Sequence, residues 1–144
     1  MHKFMTITAT LLASLTLGAT LPTVNASAKT YKTTPKSLRG YYIGKSDLVQ
    51  FTAHQVILGA PQAGQLPQKI KSIRQTGKTY RIHAISEMDK EAITIKFQKR
   101  SHHHLHFYNH KKVFLFGSNV TKVSHHIYQS YNGNPFHGLP KGVK

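Results

Sequence analysis

Apolar and polar residues alternate along two neighbouring stretches of the chain. Ile93, Ile95 and Phe97 fall on one side of the first stretch, and polar residues occupy the positions between them. Residues 80–84 repeat the alternation just upstream. A period of two is typical of a β-strand with one buried face, and a turn at residues 88–90 would join the two strands as a hairpin. Because no apolar stretch keeps a period of 3.6 residues over three turns, helix is disfavoured as the main structure.

Similar short apolar runs, separated by glycine, proline and asparagine, continue from about residue 38. Besides the hairpin, they predict strands at Gly40–Gly44 and at residues 49–58, 69–74, 105–108, 113–116 and 120–128. Residues 113–116 are apolar at every position and are expected to form a central strand. Helix is the weaker alternative for residues 47–58. The expected fold class is all-β, a small antiparallel barrel or sandwich of about seven or eight strands in a meander.

The first residues have the pattern of a secretory signal peptide. Lys3 precedes an uncharged, largely apolar run at residues 6–21, and small residues occupy the minus-three and minus-one positions before the cleavage site. Cleavage is expected between Ala28 and Lys29, with Ser27 as the alternative first residue. The run is shorter than the roughly 20 apolar residues that span a bilayer. A signal-peptide helix is therefore expected before the β domain, with no transmembrane anchor after cleavage and an extracellular or cell-surface location.

The rest of the chain divides into three parts. Residues 29–37 are polar and are expected to form a flexible lead-in, residues 38–130 form the β domain, and the glycine- and proline-rich residues 131–144 are expected to form a flexible tail. The chain has no cysteine, so the domain must be stabilised by its own core rather than by disulfides. Its length suits one domain.

Positive charge is the most extreme property of the composition. Twenty lysines and arginines oppose four acids, Asp47, Glu87, Asp89 and Glu91, which gives a formal net charge of +16. Loss of Lys3 with the signal peptide would leave about +15. The eleven histidines add charge in mild acid, because an unperturbed imidazole titrates near pH 6.5. This charge predicts association with anionic cell-wall or membrane-surface polymers.

The sequence contains no recognisable catalytic constellation. It has no cysteine nucleophile, no Gly-x-Ser-x-Gly elbow, no His-Glu-x-x-His motif and no phosphate-binding loop ending in Lys-Ser or Lys-Thr. The only clustered acids surround the turn at residues 88–90, where solvation by water explains them. Nucleic acid is a disfavoured partner, because no recognised binding motif is present. The expected function is therefore that of a secreted, non-catalytic, highly basic binding module.

Histidines are concentrated in residues 101–110. If this segment is a strand, one face carries His102, His104, His106, Tyr108 and His110. Alternate histidines on a strand can place two imidazole nitrogens on Zn(II) or Cu(II), which makes His102, His104 and His106 the candidate metal ligands. A further ligand is expected from residues 125–126 on another strand. The open alternative is a solvated, titratable face that contacts an anionic polymer.

Residues 35–42, Pro-Lys-Ser-Leu-Arg-Gly-Tyr-Tyr, resemble the opening of a set of short, basic secreted proteins of lactobacilli. In those proteins Pro-Lys-Ser-Leu-Arg-Gly is followed by an aromatic pair. The resemblance implies export and carries no activity. The opening is also similar to the Gly-x-Trp start of lipocalin-like barrels, with Tyr42 in the tryptophan position. That similarity implies an alternative function, a carrier of a small apolar ligand, for which the barrel interior would have to be hollow.

Overall fold

The computed structural model describes residues 27–134 and 138–143. The predicted signal-peptide helix lies outside the described residues. Nine strands and one α-helix occur in the described ranges: β1 (Lys29–Tyr31), β2 (Gly40–Gly44), β3 (Asp47–Phe51), β4 (Gln55–Ala60), β5 (Gly64–Thr76), β6 (Thr79–Ser86), β7 (Ala92–Lys99), β8 (His104–Tyr108), β9 (Asn119–Val123) and α1 (His125–Gly133). Within this part of the chain, no helix is long and apolar enough to cross a membrane.

Strands β2 to β9 form a closed antiparallel barrel of eight strands. Each pairs with the next along the chain, and β9 returns to pair with β2, where Ile43 lies opposite Thr121. The extra strand β1 pairs with one end of β5. The all-β prediction and the meander are confirmed, in the form of a barrel rather than a sandwich. Closure gives each of the eight strands a neighbour on both sides, so the barrel itself has no free edge.

The predicted hairpin is present as β6 and β7, with Ile82 opposite Ile95. Tyr80 is 5% exposed and Ile82 and Ile95 are fully buried, while Arg81 lies on the exposed face. The alternation of apolar and polar residues therefore identified both strands and both faces correctly. Strand β2 also has the predicted bounds.

Aromatic side chains pack inside the barrel. The ring centroid of Phe97 lies 5.5 Å from that of Phe51 and 5.3 Å from that of Phe107. Tyr80 stacks on Phe97 at 5.1 Å. All four side chains are 5% exposed or less. A barrel of eight strands is just wide enough to be filled by its own side chains or to hold one small ligand, and here aromatic side chains occupy the interior.

The chain enters the barrel through a short 3-10 helix, Lys36–Leu38. Leu38 is fully buried, and its carbonyl oxygen accepts a hydrogen bond of 2.8 Å from the Tyr42 hydroxyl. The Lys122 ammonium lies 5.6 Å from the centroid of the Tyr42 ring. The segment predicted as a lead-in thus contributes β1 and the fully buried Thr34.

Residues 120–128 do not form one strand, and that prediction is wrong. Strand β9 ends at Val123, and α1 begins after Ser124, whose hydroxyl accepts a hydrogen bond from the Ile127 amide at 3.3 Å. Serine is a favoured N-cap because its side chain satisfies an amide that the first helical turn leaves unpaired. The helix runs past the predicted domain end at residue 130. It packs a second apolar cluster against the outside of β2 and β3: Ile43, Leu48, Tyr128 and Tyr131.

The predictions for residues 49–58 are also wrong, because this stretch is neither one strand nor a helix. It contains β3 and β4, joined by a turn at residues 52–54. The turn has no glycine or proline. Instead, the Thr52 hydroxyl accepts a hydrogen bond from the Gln55 amide, and the Thr52 amide donates to the Gln55 carbonyl oxygen, both at 3.0 Å. A threonine side chain can thereby take the role that turn formers usually have.

The apolar residues 113–116 are not a central strand. They belong to the connection between β8 and β9, which begins with a 3-10 helix, His110–Val113. Asn109 and Phe114 both have left-handed backbone conformations, which bend the chain away from an extended path. Val113 and Leu115 are buried, whereas Phe114 and Phe116 are exposed. An alternation typical of a strand therefore occurs in a loop.

Candidate polyanion-binding face

Three cationic residues lie directly opposite one another on three neighbouring strands. Arg74 of β5 is paired with Arg81 of β6, and Arg81 is paired with Lys96 of β7. Their neighbours Ile73, Ile82 and Ile95 are fully buried in the barrel. Because successive side chains point to opposite faces of a strand, the three cations lie on the outer surface. We call this row, together with Tyr108 of β8, the basic face.

The cations of the basic face repel one another. Residues directly opposite on antiparallel strands have Cβ atoms roughly 4.5–5.5 Å apart, and like charges at such positions destabilise the sheet. The four acids of the chain lie elsewhere: Asp47 is buried at the start of β3, and the other three are in or beside the turn between β6 and β7. No aspartate or glutamate of the described strands lies opposite these cations, so their repulsion is lowered by solvent screening or by a bound anion.

Two grooves adjoin the row. One, of about 470 Å³, is lined by Arg74, Thr76, Thr79, Arg81 and Lys96. Thr76 and Thr79 are themselves a cross-strand pair, so their hydroxyls can donate to an anion held by the arginines. The second groove, of about 400 Å³, shares Arg81 and Lys96 and extends to Tyr108 and Lys112. Both grooves contain Arg81 and Lys96, so an extended anion can lie in either groove and contact the same cations.

An aromatic ring sits at the end of the row. Tyr108 is paired with Lys96, and the Lys96 ammonium lies 4.9 Å from the centroid of the Tyr108 ring. This cation–π contact holds the Lys96 side chain against the barrel. The Lys96 charge is therefore held in place on the surface.

More cations surround the end of these strands that is nearer to the row, at the turn between β5 and β6 and just after β7. Lys78, Lys99 and Arg100 line a groove of about 360 Å³. The pKa of nearby Lys122 is lowered, first by burial and then by repulsion from Lys99. Such crowding shows that the positive charge of the row continues to this end of the barrel.

The histidines of residues 102–110 lie beside the basic face. On β8, His104 and His106 point outward between the buried Leu105 and Phe107, as the alternation predicted. The Nδ1 atom of His104 is 3.0 Å from the Thr121 hydroxyl oxygen. That of His106 is 2.8 Å from the Asn119 side-chain oxygen. His102 precedes the strand in a loop, and His110 follows it in the 3-10 helix.

Metal binding by His102, His104 and His106 stays a prediction. In residues 27–134 and 138–143, no group of three or more His, Cys, Asp or Glu residues is arranged to hold a metal ion. The expected further ligands, residues 125–126, lie at the start of α1 rather than on a strand. The His125 ring packs against Tyr41, with centroids 4.7 Å apart.

Comparison with known proteins found no family model, curated protein or solved structure that matches this chain. The chemistry of the surface is therefore the basis for inferring a function. The row formed by Arg74, Arg81 and Lys96 was not among the features predicted from the sequence. The outward positions of Arg81 and Lys96 follow from the alternation of β6 and β7, but the row itself depends on how the strands pair.

Proposed function

We propose that this protein is an exported, non-catalytic binding module that associates with anionic polymers of the cell envelope through its basic face. The observation that carries the proposal is the in-register row of Arg74, Arg81 and Lys96. Repulsion across such a row costs stability. A cost of this kind is expected where function needs the charges.

The geometry suits a flexible polymer with repeated negative charges. A chain of phosphates that crosses the row can contact the cations successively, and each contact releases counterions into solution. Arginine binds phosphate through two parallel hydrogen bonds, whereas lysine acts as a compact charge. Binding is therefore expected to weaken as the ionic strength rises.

The experiment measures binding of inorganic polyphosphate by the full chain and by Arg81→Gln. We expect the variant to bind more weakly. The slope of its log affinity against log salt concentration should fall by the amount that corresponds to about one phosphate contact. The substitution removes the middle charge of the row and with it the repulsion. The free energy of unfolding of the Arg81→Gln variant should therefore rise by about 0.2–1 kcal/mol. Affinity is measured by titration at several salt concentrations, and stability by urea unfolding.

Lys90→Gln is the matched control. It removes the same charge from the turn between β6 and β7, where the Lys90 ammonium donates to the Glu87 carbonyl oxygen at 2.8 Å. We expect its affinity and salt dependence to stay close to those of the unmodified chain. Equal loss of affinity in both variants would mean that net charge alone drives binding. Unchanged affinity in Arg81→Gln would contradict the proposed face.

The alternative function, a carrier of a small apolar ligand, remains compatible with the barrel. The packing of Phe51, Phe97 and Phe107 inside it does not favour a ligand at the barrel centre. We therefore place the binding function on the outer surface.

A further inference from the structure

The connection between β8 and β9, residues 109–118, presents two exposed aromatic side chains. Val113 and Leu115 are 1% and 4% exposed and belong to the barrel core. Phe114 and Phe116, which alternate with them, are 59% and 72% exposed. The inward pair accounts for how the loop packs against the barrel. The outward pair contributes little burial, so the fold does not explain why these two residues are phenylalanine.

The loop is held in one conformation by a buried carboxylate. Asp47 is fully buried, and its two side-chain oxygens accept hydrogen bonds from the amides of Phe116 at 2.6 Å and Gly117 at 2.7 Å. The Leu115 amide donates to the His110 carbonyl oxygen at 3.1 Å. Because the loop is ordered in advance, its exposed rings can bind a partner without a large cost in conformational entropy.

The backbone at Phe114 is strained. Its φ angle is 57°, a left-handed conformation that is uncommon for a bulky side chain. Among the described residues, five non-glycine residues have positive φ, and all lie in connections at this end of the barrel: Ser46, Gln62, Lys90, Asn109 and Phe114. Strain of this kind concentrates at functional sites. Glycine or asparagine would relieve it at Phe114 but would remove the exposed ring.

A shallow apolar cleft adjoins the two phenylalanines. Its volume is about 540 Å³, and its walls are the β8–β9 loop and the turn between β4 and β5. Small residues in and beside that turn, such as Ala63 and Ala60, leave the rings accessible. Lys111 lines the cleft, and the adjacent Lys112 is also exposed. Exposed apolar surface thus lies directly beside positive charge.

We infer that the β8–β9 loop docks on an anionic lipid bilayer, with Phe114 and Phe116 inserted among the acyl chains and Lys111 and Lys112 beside the headgroup phosphates. Apolar side chains next to lysines match the two layers of such a surface, since burial of the rings and attraction to anionic lipid act together. This inference goes beyond the proposed function, because it assigns a second surface and a different kind of partner.

The chemistry of the loop favours lipid over the polymer assigned to the basic face. A hydrophilic polyphosphate offers nothing apolar for Phe114 and Phe116 to contact. A second protein would need a complementary apolar patch, and a single nucleic-acid strand would need to stack on the rings. An anionic bilayer satisfies both the rings and the lysines without further assumptions.

The test uses the full chain, which contains no tryptophan, and introduces one by Phe116→Trp. Vesicles of phosphatidylglycerol mixed with phosphatidylcholine should shift its emission to the blue and shield it from acrylamide. The signal is local, so binding of the apolar residues 6–21 does not produce it. Met88→Trp is the matched control: Met88 is 68% exposed and lies at the same end of the barrel, but in the turn that carries three acids. An anionic bilayer repels that turn, so the emission of this variant should shift much less.

Adding Phe114→Asn to the Phe116→Trp chain should raise the lipid concentration needed for half of the shift by roughly tenfold or more. Asparagine tolerates the left-handed backbone, so this variant should be at least as stable as its parent in urea. A normal shift in it, no shift with Phe116→Trp, or an equal shift with Met88→Trp would overturn the inference. So would a shift produced by single-stranded oligonucleotide and not by vesicles. Polyphosphate binding, measured in parallel, tests the basic face separately.

Discussion

Two tyrosines of α1 are both buried, but among the described residues only one has a hydrogen-bond partner for its hydroxyl. The Tyr131 hydroxyl donates to the Gly44 carbonyl oxygen and accepts from the Ser46 amide, each at 3.0 Å. The Tyr128 hydroxyl has no partner among the residues that the structure describes. Burial also raises the pKa of Tyr128 to about 12, so this hydroxyl is neutral at physiological pH. A buried polar group without a partner costs stability, whereas a paired one does not.

We therefore expect opposite effects from the same substitution at these two positions. Tyr131→Phe should lower the free energy of unfolding by roughly 1–3 kcal/mol, since it leaves the buried Gly44 carbonyl oxygen without this donor. Tyr128→Phe should leave stability unchanged or raise it. Urea unfolding of both variants at neutral pH measures the difference, and each serves as the control for the other. An equal loss of stability in both would show that the Tyr128 hydroxyl is satisfied.

At the scale of elements, the β8–β9 loop depends on one side chain from β3. Asp47→Ala should leave the amides of Phe116 and Gly117 without an acceptor and lower the free energy of unfolding by roughly 2 kcal/mol or more. Asp47→Asn keeps one acceptor oxygen, so its loss should be smaller. Hydrogen exchange of the two amides, followed together with urea unfolding, measures the effect. Amides that stay protected in Asp47→Ala would show that the rest of the barrel holds the loop.

The same loop shows where the sequence stops being informative. Val113, Phe114, Leu115 and Phe116 alternate between buried and exposed positions as residues of a strand would, so local pattern does not separate a strand from this loop. The difference comes from Asp47, which is distant in sequence. By contrast, the β6–β7 hairpin was predicted correctly because its alternation is bounded by a clear turn, and β2 because a glycine stands at each end of its short apolar run. The turn at Thr52 was missed because its side chain replaces glycine or proline.

Part of the basic face was also predictable from the alternation of apolar and polar residues. The alternation within β6 and β7 is enough to place Arg81 and Lys96 on the outer face of the sheet. That Arg74 lies beside Arg81 required the pairing of β5, a strand that is longer than predicted and contains an irregular register between Ile70 and Ser72. Register between strands depends on packing of the whole barrel rather than on local sequence.

For the whole molecule, electrostatic association predicts that concentrated salt releases the protein from cells and that low salt leaves it bound. Glutamine at His102, His103, His104, His106 and His110 should keep the salt response, because that response belongs to the lysines and arginines. Immunoblots of washed cells measure the released fraction. Release that is indifferent to salt would contradict anchoring by charge.

The released protein also tests export. N-terminal sequencing is expected to give Lys29 as the first residue, or Ser27 if the alternative site is used. A chain that begins with Met1 would show that residues 1–28 are not removed. The Arg81→Gln chain is the control in the same washes, since it should leave the cells at lower salt.

The pairing of β2 with β9 also determines the order in which the molecule can fold. Tyr41 lies opposite Val123, so the barrel cannot close until almost the entire domain has left the ribosome. Bringing such distant segments together costs chain entropy before their contacts form, and folds dominated by such contacts fold slowly. Until β9 arrives, β2 keeps an open edge and the chain remains easy to unfold. If the chain is exported as proposed, such late closure would favour passage of the unfolded chain through a secretion channel.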